Sequence, residues 1–290
     1  MRTRMSGNLQ DYIKILTEAG IPEEDARFDI SVIFSYLGQD EKVFAEAVKK
    51  RASGVPAAYV IGSKAFYKEE YKVTPDVLIP RADTELLVET ALKFLGALPM
   101  PVGDVLMVPD KTSLSSLRLL DICTGTGCVG ISVFNSLYEK YPDAECIISD
   151  ISDKALKVAM YNVEHSCVRP DRIKVIKADA LQEELPEGLG EFDVITGNPP
   201  YIDGPDMEVL DDEVRHEPVL ALAGGEDGLR FYEPIAKMAQ KHLKNGGMLA
   251  VEHGYNQGQL VAQTLVNNGF NNVKTLKDYG GNDRVTFGVK

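Results

Sequence analysis

The chain has 290 residues, enough for one large domain or for a large domain joined to a small one. Acidic side chains outnumber basic ones 44 to 31, giving a formal charge of -13, and a surface of that sign repels phosphate backbones, so direct nucleic-acid binding is not expected. The four cysteines, Cys123, Cys128, Cys146 and Cys167, form no Cys-x-x-Cys pair and meet no partnered histidines, which argues against a metal site and for reduced, buried thiols. Arg2 and Arg4 precede no apolar stretch, and no run approaches about 18 apolar residues, so neither export nor a membrane is expected and the cytoplasm is.

From residue 8 to about 52 apolar side chains fall at helical spacing. Leu9, Tyr12, Ile13 and Leu16 form a stripe that Gly20 stops. Pro22-Glu23-Glu24 opens a second helix with Ala26, Ile30, Ile33, Phe34 and Leu37 on its face, and Val43, Phe44, Ala47 and Val48 mark a third. A small helical domain over 1–53 is therefore predicted. Short β-type runs follow at Tyr59-Val60-Ile61-Gly62, Ala65-Phe66-Tyr67 and Tyr71-Lys72-Val73, predicting a hairpin linker over 54–80. The run from Val77 to Glu85 leads into a helix through Leu86, Leu87, Thr90, Ala91, Phe94 and Leu95, with Asp83 or Thr84 as its cap. Residues 99–116, proline-bearing and ending in Ser and Thr, read as a linker insertion. Strands predicted at 117–122, 145–150, 172–177, 192–196, 247–252, 272–277 and 284–289 then alternate with helices at 127–140, 153–166, 228–243 and 256–268. That alternation predicts an α/β domain over 81–290 built on a doubly wound, mostly parallel sheet.

Leu119-Leu120-Asp121-Ile122-Cys123-Thr124-Gly125-Thr126-Gly127 runs from a buried strand into a glycine turn, and Gly130 then lets the following helix pack closely on the sheet. Gly-x-Gly-x-x-Gly with Asp150 at the end of the next strand also fits a nicotinamide cofactor. Three acids favour S-adenosyl-L-methionine instead. Asp121 suits an ammonium and repels a pyrophosphate. Asp150 can take two ribose hydroxyls, and Asp179-Ala180 stand where an adenine edge would lie.

Asn198-Pro199-Pro200-Tyr201 follows the strand at 192–196 after Gly197 alone. Two prolines remove two backbone donors and forbid helix or paired strand, so the segment is a rigid bend just beyond a strand's carboxyl end. Asn198 offers an amide oxygen and Pro199 a carbonyl; together they can accept both hydrogens of a planar NH2 while Tyr201 packs on its face. Held so, the nitrogen's lone pair points one way, toward a methyl donor.

These residues resemble the N(5)-glutamine methyltransferases of class I peptide chain release factors. The resemblance runs through Gly54-Val55-Pro56-Ala57-Ala58-Tyr59 with Gly62, Ile79-Pro80-Arg81 to Thr84-Glu85, the glycine turn, Asn198 to Tyr201, Glu217-Pro218 with Ala221-Leu222, Glu252-His253-Gly254 with Gln257, and Asp278-Tyr279-Gly280 with Arg284. It implies a class I S-adenosylmethionine-dependent methyltransferase fold, a seven-stranded sheet with its last strand antiparallel, preceded by a small helical docking domain and a linking β-hairpin. It implies as acceptor the glutamine of a Gly-Gly-Gln loop on the release factor, with S-adenosyl-L-homocysteine as product; separately, a monomer is expected, although the sequence does not give the oligomeric state. Asn198, Pro199, Pro200 and Tyr201 become the clamp. Cys123, Thr124, Gly125, Thr126, Gly127, Asp150, Ala180 and Asn198 become cofactor contacts, with Arg81 and Thr84 beside the methionine end. The chain departs from the family pattern in a helical region a couple of dozen residues short, a longer 99–116 linker, and Cys123 where glycine is common.

Other readings stay distinguishable. The same clamp would accept a ribosomal-protein glutamine or an adenine amine; the glycine turn alone would serve a nicotinamide-dependent oxidoreductase; and a non-catalytic release-factor binder needs no methyl donor. His165, His216, His242 and His253 have neither triad nor metal spacing and are expected to be structural or superficial, and Glu252 is either part of the sheet edge near the substrate or a solvated strand-end acid.

Overall fold

A computed structural model of the chain describes residues 8–99 and 117–290, so nearly all of the predicted 99–116 insertion lies outside the described residues. Three helices come first: α1 (Leu9–Glu18), α2 (Glu23–Leu37) and α3 (Glu41–Ala52). Asn8 caps α1 by accepting from Gln10 N–H, and Asp40 caps α3 by accepting from Lys42 and Val43. Their shared core is Ile13, Leu16, Ala26, Ile30, Ile33, Phe44, Ala47 and Val48. Leu9, Phe34 and Val43, predicted on the apolar faces, lie mostly outside that core and are exposed.

Tyr59-Val60-Ile61 is helical, not extended. It belongs to α4 (Ala57–Ile61), which Pro56 starts at φ -52 and Gly62 ends in the left-handed region at φ 76. A proline before and a glycine after override the β preference of three apolar residues. The hairpin follows as β1 (Ser63–Phe66) and β2 (Glu69–Lys72), antiparallel, turning over Tyr67 and Lys68. A short 3-10 turn over Ala82–Thr84 then leads into α5 (Glu85–Phe94). Neither Asp83 nor Thr84 caps α5 with its side chain: Asp83 pairs with Arg284 at 3.3 Å, and the Thr84 hydroxyl accepts from Asn198.

The remainder is β3 (Arg118–Ile122), α6 (Cys128–Leu137), β4 (Glu145–Asp150), α7 (Asp153–Ser166), β5 (Ile173–Lys177), β6 (Phe192–Gly197), α8 (Gly204–Glu208), α9 (Val219–Leu222), α10 (Tyr232–His242), β7 (Leu243–Glu252), α11 (Gly258–Asn267), β8 (Asn271–Lys277) and β9 (Asp283–Val289). The sheet order is β5-β4-β3-β6-β7-β9-β8; β3 to β7 run parallel, and β9 is antiparallel to both neighbours. β7 begins four residues ahead of the predicted 247–252, because Leu243 already pairs with Phe192 before a register shift at the glycines brings Met248 opposite Val194. Alternate strand residues feed two cores. Leu119, Val194, Met248 and Ala250 face α5 and α6, whereas Leu120, Ile195, Leu249 and Val251 face α10 and α11.

The first strand of this sheet, β3, lies between β4 and β6, so the winding direction reverses there. The crevice beyond the carboxyl ends of β3 and β6 is the place where doubly wound sheets bind ligands. Three ion pairs lock the surroundings. Arg51 of α3, 4% exposed, bonds Asp29 of α2 at 2.5 Å and also Glu213, and Arg81 pairs with the buried Glu217.

Candidate active site

Asp121 lies one residue before the end of β3 and is 2% exposed. Its Oδ2 accepts from the Thr124 hydroxyl at 2.5 Å and from Gly130 N–H at 3.3 Å, and its Oδ1 from the Thr196 hydroxyl at 2.7 Å. The carboxylate therefore braces the turn and ties β3 to β6. Burial pushes its pKa up to about 6 against those three donors. Gly130 is required by contact: a Cβ there would stand 2.6 Å from Ile148 Cγ2 and 3.0 Å from Asp121 Cβ. Cys123 takes φ 54, the left-handed conformation that glycine adopts without cost, so the departure from the family's glycine is absorbed in the backbone of one residue.

Beyond β4, Asp150 accepts from Gly125 N–H and Ser152 N–H, each at 2.9 Å, which joins the two loops. Burial raises its pKa while those backbone donors oppose the rise. Asp179, after β5, turns its Oδ1 to Leu181 N–H at 2.9 Å. Between these loops and the clamp lies a cavity of about 580 Å³. Its lining includes Arg81, Thr84, Asp121, Cys123, Thr124, Gly125, Thr126, Asp150, Asp179, Ala180, Asn198 and Pro200. Of the residues singled out in the sequence, Gly127, Pro199 and Tyr201 are not on that wall: Gly127 starts α6 at φ 85, Pro199 is buried, and Tyr201 faces a neighbouring cavity.

Gly197 brings β6 against β3, since a Cβ there would be 2.7 Å from Ile122 Cγ1. Asn198 Nδ2 donates to Thr84 Oγ1 at 3.3 Å, which occupies the nitrogen end of the amide. The Tyr201 carbonyl accepts from Gln257 Nε2 at 2.9 Å, and its phenol donates to Glu252 Oε1 at 3.4 Å. Two glycines press on the Tyr201 backbone. A Cβ on Gly224 would lie 2.6 Å from its Cα, and one on Gly228 would overlap its carbonyl. The second cavity, about 360 Å³, is lined by Tyr201, Ile202, Val209 and Leu210 and shares Leu78, Arg81, Asn198 and Ala221 with the first. Asn198 thus stands in the partition between a larger and a smaller chamber.

Several of these parts escaped the sequence reading. Gly224, Gly225 and Gly228 stand close together, the one clue available, although the predicted 228–243 helix includes Gly228 and the observed helix starts only at Tyr232; the target of Gly224 and Gly228, the Tyr201 backbone, is visible only in three dimensions. Glu252 is 1% exposed, which rules out a solvated acid; the apolar run Met248 to Val251 ahead of it was the available clue. His253 is fully buried, bonded to Thr286 Oγ1 at 2.9 Å, and burial lowers its pKa, so it is a structural imidazole.

The larger cavity fits S-adenosylmethionine by its donor set: acceptor carboxylates of Asp150 and Asp179 suit hydroxyls and an amine, while Ile122, Ile151, Ala180 and Leu181 supply apolar flanks for a purine. A pyrophosphate would meet Asp121, Asp150 and Asp179 together, with like charge. Among the described residues, no helix is long and apolar enough to cross a membrane.

Comparison with known proteins gives the same direction. Residues 103–217 match the family model of the methyltransferase small domain. A release factor glutamine methyltransferase of Clostridium acetobutylicum is 35% identical over 251 residues, covering 86% of this chain and 80% of the relative. That of Salmonella typhimurium is 36% identical over 250 residues, covering 86% and 80%. Among solved structures, the hMettl16 catalytic domain in complex with a MAT2A 3'UTR hairpin has the same fold at a TM-score of 0.57 and 15% identity, covering 84% of this chain and 81% of that one. With two cavities meeting at Asn198 and relatives matched over most of their length, the chain belongs to the release factor glutamine methyltransferase family.

Proposed function

We propose that this enzyme transfers the methyl group of S-adenosyl-L-methionine to the side-chain amide nitrogen of the glutamine in the Gly-Gly-Gln motif of class I peptide chain release factors, leaving S-adenosyl-L-homocysteine. The observation that carries the reading is the partition: Asn198 and Arg81 line both the cavity suited to the donor and the cavity that Tyr201 faces. When bound, the donor supplies an electrophilic methyl carbon on a sulfonium. The chain's own residues do the rest. Arg81, Thr84, Asp121, Cys123, Thr124, Gly125, Thr126, Asp150, Asp179 and Ala180 form the donor cradle, Asp121 by bracing the turn from within, and Gly127 supports it by turning the chain into α6. Thr84 holds the nitrogen end of Asn198, so its Oδ1 is the end left to accept one amide hydrogen, and the Pro199 carbonyl accepts the other. Two acceptors on the NH2 oppose delocalisation of its lone pair and aim it through the partition. No base is needed before attack, because the nitrogen becomes acidic only once the new N–C bond forms; the proton then leaves.

The division into a helical docking domain over 1–53, a linker over 54–80 and a catalytic domain over 81–290 belongs to this proposal, as do a monomeric state, the cytoplasm as its place of action and the absence of direct nucleic-acid binding. The test is mass spectrometry of a purified release factor after incubation with the enzyme and donor. One added methyl on the Gly-Gly-Gln glutamine is expected. Transfer to RNA, DNA or a ribosomal protein, with none to release factor, would overturn the choice of acceptor.

A further inference from the structure

Glu252 closes β7 directly behind the clamp, and three observations converge on it. Its Oε1 accepts from the Tyr201 phenol at 3.4 Å; its Oε2 is buried with no hydrogen-bond partner; and the Thr84 hydroxyl, which accepts from Asn198 Nδ2 at 3.3 Å, faces the same carboxylate and stabilises its charge. A hydroxyl that accepts from an amide still has one hydrogen to place, and a buried carboxylate oxygen short of a donor is the group that draws it. We propose that Glu252 is a positioning residue for the methyl acceptor: its carboxylate holds the Thr84 hydrogen away from Asn198, and so fixes which end of the Asn198 amide faces the acceptor. This rests on the reading of Asn198 as an amide clamp.

The alternative arrangement is specific. With Glu252 neutral, the Thr84 hydroxyl is released to donate, its best acceptor is Asn198 Oδ1, and the amide turns over. The clamp then presents N–H groups to an acceptor NH2, donor against donor. Tyr201 then donates to a neutral and weaker acceptor. The groups facing Glu252 come from every element around it: Arg284 on β9, Asp83 and Thr84 before α5, Tyr201 after β6, Tyr232 on α10 and Cys128 on α6. Burial outweighs the opposing donors and Arg284, pushing the Glu252 pKa up to about 7. The clamp is ordered when Glu252 is ionised, so kcat/KM for the acceptor rises with pH through that region and levels above it.

The deciding experiment pairs Glu252→Gln with Thr84→Val and reads both kinetics and the Asn198 side-chain amide signals in 1H–15N spectra of the ligand-free protein. Expected are wild-type Asn198 signals that titrate near pH 7 and cease to move in both variants, at least a tenfold loss of kcat/KM for a Gly-Gly-Gln protein in Glu252→Gln, loss of its acid limb, and unchanged calorimetric affinity for S-adenosylhomocysteine. Wild-type Asn198 signals that ignore pH, or Glu252→Gln with wild-type kcat/KM and the same acid limb, would overturn the proposal. Should wild-type enzyme methylate no glutamine, the proposed function falls, while the spectra still decide the role of Glu252.

Discussion

The turn after β3 and the turn after β6 face the same cavity, yet they hold their shape by opposite means. The first bends through residues that tolerate the left-handed region, Gly125 and Gly127 at φ 55 and 85, with Cys123 forced into it at φ 54. Buried side chains then tie it down from beneath, Asp121 above all. The second bends because Pro199 and Pro200 have almost no conformational choice, and glycines elsewhere, Gly224 and Gly228, make room for it. A loop that wraps a flexible donor gains from backbone amides free to approach it. A clamp that aims one lone pair gains from having nothing left to adjust.

Substitutions should separate the two walls. The largest effect is expected from Asn198→Ala, which removes the acceptor proposed for the reacting nitrogen: a loss of roughly 100-fold or more in kcat/KM, by analogy with deleting one positioned polar group from an active site. Labelled methyl transfer to release factor measures it, and unchanged transfer would refute the clamp. Next come the glycines. Gly130→Ala forces a Cβ to 2.6 Å from Ile148, and Gly228→Ala drives one into the Tyr201 carbonyl; overpacking of this kind costs roughly 1–3 kcal/mol. Both should lower the denaturation midpoint, but Gly130→Ala should weaken S-adenosylhomocysteine binding while Gly228→Ala raises KM for the acceptor. Identical kinetic profiles would erase the distinction between the walls.

Asp121 gives a pH signature. Its native pKa, about 6, lies above the 3.8 of a free aspartate, so the folded state keeps a proton that the unfolded state has lost. Stability from this group is therefore greatest below pH 3.8 and falls as pH rises to about 6, by roughly 3 kcal/mol at 1.36 kcal/mol per unit, and is level above that. Chemical denaturation of wild type and Asp121→Asn should diverge in slope across that window alone. The smallest effect is expected at Cys123→Gly. Relief of the left-handed backbone exceeds the added freedom of the unfolded chain, for a net gain of less than about 1 kcal/mol with transfer intact, measured by thermal midpoint and single-turnover rate.

Much of this architecture was legible in the sequence because periodicity and glycine placement are local. The predicted span 153–166 coincides with α7 (Asp153–Ser166), and 145–150 with β4 (Glu145–Asp150), since each is bounded by its own cap or turn. Tyr59-Val60-Ile61 misled because three β-favouring residues are fewer than the proline and glycine around them can override. Thr84 looked like a cap because its place in sequence fits one; its partner, Asn198, is 114 residues away. The site residues were recognisable one by one, whereas the partition between two chambers, the glycines behind Tyr201 and the burial of Glu252 depend on contacts between distant strands that no spacing encodes.

Arg51 carries a consequence for how the molecule opens. Its desolvated guanidinium is shared between Asp29 in α2 and Glu213 in the segment that follows the clamp. Separating the helical region from that segment would cost this guanidinium one of its two carboxylates while Asp29 keeps the other, so the contact couples the opening of the two parts. Amide hydrogen exchange would then report α3 and residues 210–217 as one cooperative unit with a common opening free energy, distinct from the slower exchange of β3 and β6.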